Sequence, residues 1–84
     1  MRKTITIIGV GDRRQGVSAK TNKPYDFTPV SFTYEMPFVS GVKGATANVA
    51  QDCMPNYSPR VGDSVEVVMR EDFRTGSVYI DAVL

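Results

Sequence analysis

The chain has 84 residues, a formal net charge of +1 and 42% hydrophobic residues, which fits one soluble domain and excludes the longer doubly wound and barrel enzyme folds. It contains a single cysteine, Cys53, and no histidine. These counts exclude an intrachain disulfide, a serine–histidine or cysteine–histidine pair and a typical zinc site. Domains this small have thin cores, so self-association is the stabilising device left. We expect residues 1–84 to form one non-enzymatic domain without a cofactor.

The first segment, residues 1–10, alternates in hydrophobicity with a period of two and is rich in β-branched residues. This pattern predicts a strand with Ile5 and Ile7 on one face. Its apolar run is too short for a signal peptide, and no stretch of the chain has the length of a transmembrane helix. We therefore expect a cytoplasmic protein that does not enter a membrane.

A polar stretch follows at residues 11–24 and predicts a projecting loop. Residues 16–19 within it can be extended. Residues 20–24 are typical of a turn, because Asn22 tolerates a left-handed backbone and Pro24 disfavours a helix before it.

The segment from Tyr25 to Tyr34 predicts a strand. Tyr25 and Phe27 share one face, and Phe32 and Tyr34 share a face further along. Pro29 lies between the two pairs, so the segment is an edge strand, a bulged strand or two strands.

Residues 38–43 predict a further short strand, whereas residues 44–52 stay open between helix and strand because their propensities conflict. Residues 64–70 and 78–84 alternate again and predict a hairpin. About five short strands with turn signals at regular spacing indicate a small all-β barrel or sandwich.

The small net charge hides an uneven distribution. Residues 1–24 hold six cations and one carboxylate, a net +5, whereas residues 25–84 hold four cations and eight carboxylates, a net −4. The loop cations directly precede the same-face aromatics Tyr25 and Phe27. Cations that neutralise phosphates beside rings that stack on unpaired bases suit single-stranded nucleic acid. The alternative is an ordinary solvated hairpin with both aromatics in the core.

The phrase RQGVSAKTNKPY at residues 14–25 resembles the DNA-binding wing of the filamentous-phage single-stranded DNA-binding proteins, the gene V type helix-destabilising family. The resemblance implies a five-stranded OB-fold-like barrel with a protruding β-hairpin wing, working as a symmetric homodimer. It also implies cooperative, largely sequence-independent coating of single-stranded DNA during phage genome replication and packaging, in the cytoplasm of an infected bacterium.

Carried over by position, the resemblance implies phosphate contacts from wing cations, base stacking on Tyr25, a flanking Phe27 and a second aromatic at Tyr34. Phe38 corresponds to an aromatic near a loop tip that contributes to contacts between dimers. The full predicted DNA-binding set is Arg13, Arg14, Lys20, Lys23, Tyr25, Phe27, Tyr34, Phe38, Lys43, Phe73 and Arg74.

Two departures from the family pattern stand out. The family's dimer loop has an aromatic immediately before the glycine, whereas here Thr75 precedes Gly76 and Phe73 lies earlier. The role of Phe73 therefore stays open between base stacking and packing in the core or dimer. Residues 44–56 have no counterpart in the family.

Two other functions remain open from the sequence. One is a small β-barrel module that binds protein in a phage or bacterial assembly. The other is an RNA-binding barrel of the cold-shock type, since RNA offers the same phosphates and unpaired bases.

Overall fold

The computed structural model describes residues 2–36 and 40–84, and these residues confirm the prediction of an all-β chain. The sheet has one strand more than predicted. The strands are Arg2–Val10 (β1), Arg14–Val17 (β2), Pro24–Glu35 (β3), Val42–Ala50 (β4), Ser64–Asp72 (β5) and Ser77–Val83 (β6), and a 3-10 helix spans Gln51–Cys53.

All strand pairs are antiparallel, and β3 pairs with three other strands, β1, β2 and β4. One edge of β3 pairs with β1, which continues through β5 to β6, and the other edge pairs with β4. β4 and β6 contact each other, but no ladder of hydrogen bonds joins them within the described residues. The sheet is therefore open, and the closed barrel stays a prediction.

The predicted projecting loop is a two-stranded wing, formed by β2 and the first residues of β3. Asn22 in its turn has a φ of 55°, which confirms the expected left-handed backbone. The longest dimension of the molecule is 43 Å and its radius of gyration is 13.3 Å, whereas a compact chain of this length has about 12 Å. The wing thus projects from the body of the sheet.

The core lies between the inner faces of the curved sheet. Alternation puts Ile5 and Ile7 of β1 in it, as predicted, together with alternate residues of the other long strands. Its buried apolar members are Ile5, Ile7, Val30, Phe32, Tyr34, Ala47, Val49, Met54, Val67, Met69, Val78 and Ile80. The hairpin predicted near the C-terminus is confirmed as β5 and β6.

Pro29 does not divide the third strand, which runs without a break over 12 residues. Its carbonyl accepts a hydrogen bond from the Gly11 N–H, just after the end of β1. In an antiparallel strand the N–H and C=O of one residue point the same way. The N–H that proline lacks would therefore point toward the end of β1, and the ladder to β4 is intact.

Of the short strand predicted for residues 38–43, residues 38 and 39 lie outside the described residues, residues 40 and 41 are not in a strand, and residues 42 and 43 are. β4 begins at Val42 and continues through the segment that propensity left open. Ala47 and Val49 are buried while Thr46 and Asn48 are exposed, which is the period of a strand. Pairing with β3 satisfies the backbone groups of both strands and so outweighs the helix propensity of the alanines.

Candidate nucleic-acid interface

Two aromatic rings lie side by side on the outer face of the wing. Tyr25 and Phe27 occupy alternate positions of β3, and their ring centroids are 5.8 Å apart with an angle of 37° between the planes. Tyr25 is 42% exposed. Its ring crosses Gly16 of β2 so closely that a Cβ there would lie 2.6 Å from the phenolic oxygen. The glycine thus lets the ring lie against the wing, with one side open.

Three exposed cations belong to the same wing as these rings. Arg14 is the ladder partner of Phe27, so its side chain leaves the sheet on the aromatic face. Lys23 lies two residues before Tyr25, and its backbone carbonyl accepts a hydrogen bond from the Ser18 N–H. Lys20 occupies the turn, and all three cations are exposed.

These three cations form no ion pair within the described residues. Arginines elsewhere in the structure do have carboxylates within 4 Å, namely in the pairs Arg2–Glu66, Arg60–Asp63, Arg70–Asp81 and Arg74–Asp72. The wing therefore presents positive charge that no neighbouring carboxylate neutralises.

Arg13 differs from the other wing cations. Its Nε and Nη2 donate hydrogen bonds of 2.7 and 2.5 Å to the two carboxylate oxygens of Asp26. These hydrogen bonds lower the pKa of Asp26 and raise that of Arg13. Asp26 lies between Tyr25 and Phe27 in the strand, so alternation directs it to the opposite face. The structure does not bring Arg13 to the aromatic face with the other cations.

Tyr34 is not a stacking residue, and this prediction is wrong. The ring is 2% exposed and packs 5.8 Å from the ring of Phe32. Even-numbered positions of β3 from Thr28 onward point inward, whereas Tyr25 and Phe27 occupy odd-numbered positions. A base has no access to a face of this ring.

The variant Tyr34→Phe should bind DNA like the original chain. It should lose the ionisation step of the Tyr34 phenol. The Tyr34 Oη donates a hydrogen bond of 3.0 Å to Glu71 Oε1, and burial together with this carboxylate raises the pKa of Tyr34 to about 12. Because this pKa lies above the ordinary value, the neutral phenol stabilises the folded chain. This stabilisation is fully present below pH 10.0 and is lost as the pH rises through about 12. An ultraviolet titration of both chains measures the missing step, and a marked loss of DNA affinity would contradict the core position.

The remaining predicted residues lie away from the wing or outside the described chain. Phe38 lies outside the described residues. Lys43 is the ladder partner of Tyr34, near the end of β3 that is farthest from the wing. Phe73 and Arg74 occupy the turn between β5 and β6, where Phe73 is 89% exposed. Packing of Phe73 in the core of its own chain is therefore excluded.

A hollow beside the aromatic pair was not predicted from the sequence. It has a volume of about 790 Å³, and Tyr25 and Phe27 line one side while Asn48, Ala50 and Gln51 line the other. The second wall comes from residues 44–52, for which the propensities left helix and strand open. Only the pairing of β4 with β3 brings it beside the rings.

Comparison with models of protein families, with curated proteins and with solved structures gives no match for this chain. Within the described residues, no helix has the length and apolar character needed to cross a membrane.

Proposed function

We propose that this protein binds single-stranded DNA without catalysing a reaction. The observation that carries the proposal is one face of a projecting wing that holds two neighbouring aromatic rings, Tyr25 and Phe27, together with Arg14, which has no ion pair within the described residues. Stacking of an unpaired base on such a ring contributes about 1–3 kcal/mol. Duplex DNA exposes no base faces, so the same surface favours separated strands.

The free charge of the wing supports the same proposal. Arg14, Lys20 and Lys23 have no carboxylate partner in the described chain, and Arg14 shares a face with the aromatic rings. Each phosphate that a cation neutralises releases bound counterions. Affinity should therefore fall steeply with salt although the net charge of the whole chain is only +1.

The proposal includes self-association and a biological setting. Among the described residues, Phe73 is the most exposed large hydrophobic side chain, at 89%, and burying it against a second copy would remove apolar area from water. We infer a homodimer of OB-fold-like barrels that coats DNA cooperatively. Its resemblance to the filamentous-phage helix-destabilising proteins supports a role in phage DNA replication in the cytoplasm of an infected bacterium. RNA is a second ligand of the same chemistry.

A titration with single- and double-stranded DNA of equal length tests the proposal. The chain has four tyrosines and no tryptophan, so tyrosine emission reports stacking directly. We expect quenching by oligo(dT) at low salt, much weaker binding of the duplex, and loss of affinity as salt rises. Unchanged emission at low salt would overturn the stacking mechanism.

The double variant Arg14→Glu/Lys20→Glu separates this function from a protein-binding module. If both cations contact phosphates, the slope of log affinity against log salt should flatten by roughly 1.4 per protomer, at about 0.7 per contact. The control is Arg60→Glu, which reverses an exposed cation outside the wing. A slope that is the same in both variants would favour the protein-binding module.

A further inference from the structure

We propose that Asp26 is a specificity-determining residue, which neutralises Arg13 and so maintains the preference of the wing for single-stranded over double-stranded DNA. This inference rests on the proposed function and adds a carboxylate that restricts where phosphates bind. It concerns the back face of the wing, which lies opposite the aromatic rings and carries the side chains of Arg13, Gln15, Val17, Pro24 and Asp26.

The register of β2 and β3 gives the wing two faces of different character. Gln15 is the ladder partner of Asp26, and Val17 is the ladder partner of Pro24. These positions alternate with those of the aromatic face, so their side chains leave the sheet on the other side. Arg13 precedes β2, and its guanidinium reaches the back face by contacting Asp26. The five side chains of this face include one cation and no aromatic ring.

Asp26 holds the guanidinium of Arg13 at two points. Nε and Nη2 donate hydrogen bonds of 2.7 and 2.5 Å to the two carboxylate oxygens, and Gln15 Nε2 donates a further one of 3.3 Å to Oδ2. A bidentate pair of this kind fixes the orientation of the guanidinium and is stronger than a hydrogen bond between neutral groups. The charges of the pair cancel at contact distance, so the back face offers a phosphate no net positive charge.

The cancellation persists if Arg13 turns away from its partner. Both side chains are partly exposed, at 48% and 32%, so water screens the pair and the arginine can leave it at little cost. A phosphate that took Arg13 would then meet the bare carboxylate of Asp26 beside it. In either arrangement the pair adds little to the binding of DNA.

A free cation on the back face would change selectivity because no ring accompanies it. Phosphates are common to single and double strands, and a duplex exposes no base faces, so it binds by charge alone. A single strand stacked on Tyr25 and Phe27 lies across the sheet from Arg13 and gains little from it. We expect a freed Arg13 to raise duplex affinity roughly tenfold at about 50 mM salt, the effect of one added phosphate contact.

The variant Asp26→Asn provides the test, since it keeps the shape of the side chain and removes its charge. Labelled single- and double-stranded oligomers of equal length are titrated against the full chain, with anisotropy as readout. The ratio of single- to double-stranded affinity should fall roughly threefold to tenfold, and the salt slope for the duplex should steepen by about 0.9. The double variant Arg13→Gln/Asp26→Asn should return to the original ratio, because no arginine is freed.

The matched control is Asp12→Asn, which makes the same change of charge next to the wing. Asp12 is exposed and has no ion pair within the described residues, so this variant frees no arginine and should retain the ratio. An equal fall in the control would reveal a general effect of charge and overturn the inference. An unchanged ratio in Asp26→Asn, or a fall that persists in the double variant, would overturn it too and leave the proposed function intact. If the original chain bound neither DNA, or both equally, the proposed function would fail and this inference with it.

Discussion

Replacing Tyr25 with alanine should weaken binding of single-stranded DNA by roughly fivefold to 150-fold, the loss expected for one base–aromatic stack. One side of this ring is supported by the backbone of Gly16, so it offers a preorganised surface and loses little freedom when a base stacks on it. Phe27→Ala should act in the same direction, and the effects should not simply add because the rings touch.

Tyr79→Ala is the matched control for this experiment. Tyr79 is 43% exposed, almost the same as Tyr25, but the Arg70 guanidinium lies 4.8 Å from the centre of its ring. A base would have to displace that cation. Anisotropy titrations of both variants with the same labelled oligomer should show a loss for Tyr25→Ala alone, and equal affinities would contradict the position of the binding face.

Phe32→Ala should destabilise the fold by about 3–5 kcal/mol, a large part of the 5–15 kcal/mol that holds a typical small domain together. Phe32 has no exposed surface, and its removal leaves a cavity in a thin core. The control lies on the outer face of the same strand: Phe27→Ala removes an identical side chain that is only partly buried, and it should cost less.

Urea unfolding of the DNA-free chains, followed by circular dichroism, measures both losses. We expect Phe32→Ala to be partly unfolded at elevated temperature, so the comparison is made in the cold with the urea midpoint as readout. Equal midpoints for the two phenylalanine variants would contradict the assignment of inner and outer faces to β3.

The sequence determined those features that depend on local pattern. Alternation placed Ile5 and Ile7 on one buried face, and it placed Tyr25 and Phe27 together. The tolerance of asparagine for a positive φ located the wing turn at Asn22. Each of these inferences uses residues within a few positions of one another, where backbone geometry alone fixes the relation.

The tertiary structure decided the features that depend on strand register and on which alternate positions of a strand face the core. The stacking role of Tyr34 is what the resemblance implies by position, and a break at Pro29, which the sequence left open, would have reset the alternation between Phe27 and Tyr34. The strand is continuous, so its odd and even positions keep separate faces along its whole length. Tyr34 therefore falls on the core side.

Register also decided which charges are free. The sequence contains the full excess of cations in residues 1–24, but only the pairing of β2 with β3 joins Arg13 to Asp26 and leaves Arg14 beside the rings. Likewise, β4 forms opposite β3 and carries Asn48 to the hollow. Composition and charge distribution could thus be read from the chain itself. The surface that these charges share with the aromatics required the strand pairing, because hydrogen-bonded partners far apart in sequence are not encoded by local pattern.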